Sequence, residues 1–159
     1  MPSSLPKILK TKALAETRNF RIEAVDLVFS NGQKRTYERL ANNSQGAVLI
    51  IAFKAAKTFL MIREYAVGME RYELTLPKGK IDDGEDIITA AQRELIEETG
   101  YGAKQLTHID TVSLASGYSS HLTHIVLAEN LYPDSAEGDE PEPLEILPWS
   151  FDNINQLIS

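Results

Sequence analysis

Three glutamates close one stretch of the chain, Arg93-Glu94-Leu95-Ile96-Glu97-Glu98-Thr99-Gly100. On a helix, Glu94, Glu97 and Glu98 stand at i, i+3 and i+4 and share a face. Like charges so placed repel by about 0.2–0.5 kcal/mol per pair. They also crowd the negative end of the helix dipole. Arg93 is the only cation nearby in the helix. The ordinary outcome for such a run is a solvated acidic face. The other outcome is a hard divalent cation, Mg²⁺ or Mn²⁺, held by converging carboxylate oxygens that cancel their own repulsion on it. Spacing alone leaves both open.

The flanking residues add to the inventory. Lys78-Gly79-Lys80 places two cations and a flexible backbone just before the acids. Lysines beside a divalent metal would suit a diphosphate. A second acidic stretch, Asp134 to Glu145 (DSAEGDEPEPLE), carries six acids and no base. Pro141 and Pro143 would stiffen it by fixing φ. The three histidines, His108, His121 and His124, form no H-E-x-x-H zinc pattern and are expected to be bystanders.

These residues must be held by a fold. Asp82, Asp83 and Glu85 crowd the start of a helix expected over Asp86 to Thr99, where carboxylates complement the dipole. Ile87, Ile88, Ala91, Leu95 and Ile96 give its apolar positions, and Gly100 its C-terminal stop. Residues 1 to 17 show no period and read as a loose lead-in. Phe20 to Ser30 and Gln33 to Leu40 flank Asn31-Gly32, which predicts a hairpin with a type I′ turn. Ala47 to Phe53 (AVLIIAF) reads as a buried strand, followed by strands at Phe59 to Arg63 and Tyr72 to Leu76. Gly79 to Gly84 reads as a loop. Further strands are expected at Leu106 to Ala115, Leu122 to Leu131 and Ile146 to Trp149, with a short final helix from Asp152 to Ile158. Strands outnumber helices and do not alternate regularly with them. The class is therefore α+β, a mixed sheet flanked by helices, with an N-terminal β-hairpin.

The bulk numbers narrow the possibilities. The chain has 159 residues, 43% hydrophobic and 25% charged, which suits an ordinary globular protein with a real core. A formal net charge of −7 argues against nucleic-acid binding, which needs a basic stripe. The absence of cysteine excludes disulfides, thiol catalysis and thiolate zinc sites. No apolar run is long enough to span a bilayer, and the first twenty residues lack the apolar core of a signal peptide. A cytoplasmic protein is expected.

The whole stretch from Gly79 to Tyr101 resolves the question of the acids. Gly79, five residues, Glu85, seven residues, then Arg93-Glu94-Leu95-Ile96-Glu97-Glu98-Thr99-Gly100 resembles the Nudix box, GX5EX7REUXEEXGU. The one departure is aromatic Tyr101 at a usually aliphatic position. The resemblance extends through residues 25–39, 62–74, 78–85 and 131–144, which are similar to the NudE-type ADP compounds hydrolases, relatives of the ADP-ribose pyrophosphatases. It implies an α/β/α sandwich, with residues 1–45 forming a lead-in and dimerising hairpin and residues 46–159 the Nudix domain. It implies Mg²⁺- or Mn²⁺-dependent hydrolysis of a small nucleoside diphosphate compound, with two or three ions per site. ADP-ribose, NADH and diadenosine polyphosphates would be substrates, and AMP a product.

By the same resemblance, Glu94, Glu98 and Glu142 are metal ligands, joined by the backbone carbonyl of Lys78. Glu97 and Glu140 are the candidates for proton acceptor. Gly79, Glu85 and Arg93 are structural, the last two through a salt bridge. Arg39, Arg63, Glu73 and Tyr118 are substrate-binding candidates. A homodimer formed through the N-terminal sheet is implied as well. Two alternatives remain: a hydrolase specific for diadenosine polyphosphates, and a non-catalytic ADP-ribose sensor.

Overall fold

The computed structural model describes residues 4–41, 45–136, 138 and 141–157. These fall into two compact units, one of residues 1–45 with 113–122 and one of residues 46–112 with 123–159.

The first unit is a three-stranded antiparallel sheet, β1 (Lys7–Glu16), β2 (Arg21–Val28) and β3 (Lys34–Ala41), in the order β1-β2-β3. The expected lead-in is thus a strand for most of its length. All ten residues of β1 are exposed, so neither of its faces is selected for apolar residues and no period-2 contrast exists to be read. The β2–β3 hairpin forms as expected, but its turn is not type I′. Only Gly32 of the Asn31-Gly32 pair has positive φ, at 80°. The Gly32 N–H donates to the Phe29 carbonyl at 2.9 Å, and Phe29 N–H to Gln33 O at 2.9 Å. That is the three-residue loop in which a left-handed glycine closes a bulge. The end of β3 is also bound to the 113–122 segment. Leu40 N–H donates to Tyr118 O at 2.7 Å, and Ser120 N–H to Leu40 O at 3.1 Å.

The second unit is a mixed sheet built on β4 (Ala47–Ala55). β5 (Thr58–Ala66) turns back beside it, followed by β6 (Arg71–Thr75) and the short β7 (Lys78–Lys80). Helix α1 (Ile87–Thr99) comes next, then β8 (Tyr101–Val112), β9 (Thr123–Pro133), β10 (Glu145–Ser150) and a 3₁₀ helix (Phe151–Leu157). The sheet order is β10-β5-β4-β9-β8, with β6 on β5 and β7 on β4. Of the strand pairs in this sheet among the described residues, only β4 and β9 run parallel. This register sets Ile50 beside Val126 and Ala52 beside Ala128. All four are fully buried, together with Val48, Leu60 and Ile81. Ala90, Ala91 and Leu95 of α1 close the same core. The helix buries small alanines toward the sheet, which brings its backbone close. Ile88, expected on the apolar face, is instead exposed. No helix among the described residues is long and apolar enough to cross a membrane.

The loop expected over Gly79 to Gly84 is partly strand. Lys78, Gly79 and Lys80 pair antiparallel with Leu49, Val48 and Ala47. Ile50 N–H donates to Pro77 O at 2.8 Å, and Ile81 N–H to Gly46 O at 3.1 Å, which extends the ladder at both ends. Three residues with two lysines carry no strand signal of their own, and the pairing partner lies about thirty residues away. The consequence is that Lys78 and Gly79 are fixed to the rigid centre of the sheet.

Candidate active site

The helix start is set by Asp86. Its side chain accepts from the N–H groups of Ile88 at 2.9 Å and Thr89 at 3.1 Å, which satisfies two otherwise orphaned donors. At the other end, Gly100 sits at φ 69° and its N–H returns to Ile96 O at 2.9 Å. With both ends defined, the positions of Glu94, Glu97 and Glu98 follow.

Arg93 answers much of the like-charge cost. Its Nε and Nη2 form a fork on Glu85, at 3.0 Å to Oε1 and 2.9 Å to Oε2. Nη1 donates to Glu94 Oε1 at 2.8 Å and to Glu97 Oε2 at 3.1 Å. Nη2 also reaches the Lys80 carbonyl at 3.0 Å. One guanidinium therefore serves three carboxylates and the loop backbone. It holds the Glu85 carboxyl below its usual range, and these partners keep Arg93 itself more firmly protonated.

Glu98 lies outside this network. It is 8% exposed, and its Oε2 accepts from Lys78 N–H at 2.8 Å. Burial pushes its carboxyl up to about 8, against the pull of that hydrogen bond. Glu94 and Glu64 raise it further through their charge. Glu94 itself lies over β7. A Cβ built on Gly79 would fall 1.9 Å from Glu94 Cδ, so only glycine leaves room for that carboxylate.

Glu94, Glu97 and Glu98 line one side of a cleft of about 260 Å³, and Gly138, Pro141, Glu142, Pro143 and Leu144 line the other. Glu142 accepts from the Tyr72 hydroxyl at 2.5 Å. Glu140 lies outside the described residues. The Lys78 ammonium pairs with Glu64, beside Glu98. Among the described residues, no three acidic or imidazole groups are gathered closely enough to hold a cation as they stand. Arg93 occupies Glu94 and Glu97, and Glu98 turns to β7.

The remaining candidates are placed as follows. Glu73 accepts from Arg71 Nε at 2.6 Å. Arg63 pairs with Glu145 at 3.4 Å. Neither lines the cleft. Arg39 and Tyr118 belong to the first unit, where they line a groove with Tyr37, Val25 and Leu27. Arg39 there grips the buried Glu23 at 2.9 Å and 3.2 Å. His108 and His124 share the Thr111 hydroxyl at 3.0 Å each, and no histidine lines the cleft. Two residues were missed in the sequence, Glu64 and Tyr72. Alternation along β5 and β6 predicts which face each occupies, but nothing local to either names its partner.

Comparison with known proteins agrees with this architecture. A family model for the NudE-type Nudix hydrolase N-terminal domain matches residues 6–39, and the NUDIX domain model matches residues 43–157. The chain is 46% identical over 153 residues to the ADP compounds hydrolase NudE of Escherichia coli, covering 96% of this chain and 82% of that one. It is 30% identical over 159 residues to the ADP-ribose pyrophosphatase of Bacillus subtilis, covering 96% and 85%. A crystal structure of an ADP compounds hydrolase superposes with a TM-score of 0.89 at 46% identity, covering 98% of this chain and 83% of that chain.

Proposed function

The chain belongs to the NudE-type Nudix hydrolases and is a Nudix pyrophosphatase, and from that premise we propose that it hydrolyses the diphosphate bond of ADP-linked compounds and releases AMP. ADP-ribose is the first substrate of this reading, with NADH and diadenosine polyphosphates beside it. The observation that carries the reading is the cleft with Glu94, Glu97 and Glu98 on one wall and Glu142 on the other.

Enzymes of this family generally need divalent metal ions. The donor set fits a hard cation: the cleft presents carboxylate oxygens and no sulfur or imidazole. In our reading Glu94, Glu98, Glu142 and the Lys78 carbonyl hold two or three Mg²⁺ or Mn²⁺ ions. When bound, these ions would neutralise the diphosphate and polarise it toward attack. The protein's own residues do the rest. Gly79 keeps space for Glu94 against the sheet. Arg93 fixes the loop to the helix and steadies Glu97. A carboxylate, Glu97 or Glu140, takes the proton from the attacking water. Water is the nucleophile, so no covalent intermediate on the protein is required. Arg63, Glu73, Arg39 and Tyr118 are proposed to contact substrate, the first three after exchanging their present ion-pair partners.

A homodimer through the N-terminal sheet is part of the same reading. Its support is the exposure of Ile8, Leu9, Leu14 and Phe20 in that unit. Sedimentation of the purified protein tests it directly.

The decisive experiment supplies ADP-ribose, NADH and diadenosine triphosphate in turn, with Mg²⁺ or Mn²⁺, and identifies products by mass spectrometry. AMP from the wild type, largely absent with Glu98→Gln, supports the proposal, and the rate ranking names the substrate. Binding of ADP-ribose without cleavage in either metal would replace it with a sensor.

A further inference from the structure

We propose that Tyr72 is a positioning residue for the acidic wall of the cleft, its phenol holding the Glu142 carboxylate in place. The inference rests on the reading of Glu142 as part of the active site.

Tyr72 stands on β6 directly opposite Tyr65 of β5, so the two rings share a face. They pack edge to face, with centroids 5.5 Å apart and planes at 72°. That packing fixes the direction of the Tyr72 hydroxyl. It is not burial that demands the ring, because Tyr72 is 55% exposed. The hydroxyl instead donates to Glu142 Oε1 at 2.5 Å, across seventy residues of sequence. An O–H donor to a carboxylate at this distance belongs to the strong class of hydrogen bond.

The surroundings of Glu142 explain why one tether suffices. Pro141 and Pro143 flank it, and each fixes its own φ and removes a backbone donor. Three residues later, Glu145 enters the β10 ladder opposite Arg63 of β5. The Arg63–Glu145 ion pair adds to that attachment. The segment is thus pinned to the β5–β6 hairpin at two points, the ladder and the phenol. The second point matters because Glu142 shares its cleft with three other glutamates. The charge that Arg93 leaves uncompensated on Glu94 and Glu97 would drive its carboxylate outward, and the phenol opposes that displacement.

The test uses Tyr72→Phe, which keeps the ring packing and deletes only the donor. With ADP-ribose and Mg²⁺, we expect kcat to fall about ten-fold while KM stays within about two-fold, as for an interaction realised in the transition state. Glu142→Gln should fall at least as far. The double variant should match Glu142→Gln alone, since Tyr72 acts through that carboxylate. Multiplying effects would overturn the inference. So would a Tyr72→Phe variant with full kcat beside an impaired Glu142→Gln, which leaves the reading of Glu142 standing. An unimpaired Glu142→Gln would sink both. Hydrogen exchange provides a readout independent of turnover. Amides at the start of β10, from Glu145 to Leu147, should exchange faster in Tyr72→Phe than in wild type, and unchanged protection there refutes the tether. Thermal midpoints of the variants confirm that each one folds.

Discussion

Replacing Glu98 by glutamine should stabilise the metal-free protein, and only above mild acid. The Glu98 carboxyl is buried and raised from 4.5 to about 8. Below the unfolded value, both folded and unfolded chains carry it protonated, and it costs nothing. As pH rises from there toward 8, the unfolded chain ionises while the folded one does not, so stability falls by about 1.36 kcal/mol per pH unit. Above about 8 the folded group ionises too and the loss levels off. Over the span from 4.5 to pH 7 the cost approaches about 3 kcal/mol, and relaxation of the site returns part of it, leaving about 2 kcal/mol. Glutamine is neutral throughout, and its carbonyl can still accept from Lys78 N–H. For a chain of this length, that converts to a midpoint about 4–8 °C higher. The assay is thermal unfolding in EDTA at pH 5 and pH 8, wild type against Glu98→Gln. The two midpoints should nearly coincide at pH 5 and separate at pH 8. Added Mg²⁺ should raise the wild type more than the variant. A variant equal to or less stable than wild type at pH 8 refutes the reasoning, because the burial cost would then be absent.

Other perturbations follow from the same geometry. Gly79→Ala should lower kcat by about 10²-fold with little change in thermal midpoint, because its Cβ would strike the mobile end of Glu94 and not the backbone; steady-state kinetics beside a melting curve checks both halves. Arg93→Ala should cost about 2–4 kcal/mol at pH 7, since it leaves Glu85, Glu94 and Glu97 without their shared counter-charge. Arg93→Lys should recover only part of that, for lack of the fork on Glu85. The Glu85 contribution has the opposite sign to that of Glu98: its carboxyl is lowered by Arg93, so its stabilisation is present above pH 4.5 and is lost as pH falls through the folded value. Glu85→Gln should therefore flatten the acid limb of a stability-against-pH profile, and an unchanged limb would count against the ion pair. Leu95→Ala, emptying a fully buried position between α1 and the sheet, should cost about 2–5 kcal/mol by urea unfolding.

The sequence was most informative where a local rule coincides with the global fold. The helix ended at Gly100 as its cap chemistry required, and β4, β9 and β10 lay within a few residues of their apolar runs. It was silent where pairing is remote. β1 has no buried face to produce a pattern, and β7 exists only because β4 offers it a ladder. The Asn31-Gly32 pair announced a hairpin but not its turn, since either residue can supply the single positive φ that the loop needs. The three glutamates were legible as a cluster by spacing alone. Their individual environments were not, because Glu97 and Glu98 are adjacent in sequence, yet one meets a guanidinium and the other a backbone N–H on β7.

That difference answers the electrostatic question the helix poses. Three charges at the C-terminal end of a helix would each add to the others' cost if all faced water alike. Here they are separated by means. Glu94 and Glu97 share the single charge of Arg93, itself anchored by Glu85 from the loop that precedes the helix, so their repulsion is offset in part. Glu98 is kept protonated near neutral pH by burial, and is tied to the strand that carries Gly79 and Lys78. A protein selected only for stability would replace a buried carboxyl of this kind with leucine or glutamine. Its place in a cleft whose opposite wall presents another glutamate held by a phenol is what the proposed cation site calls for. A bound cation would then take up the charge that the fold suppresses in its absence, and because Glu98 must give up its proton on binding, that uptake would tighten as pH rises toward 8 and level off above it.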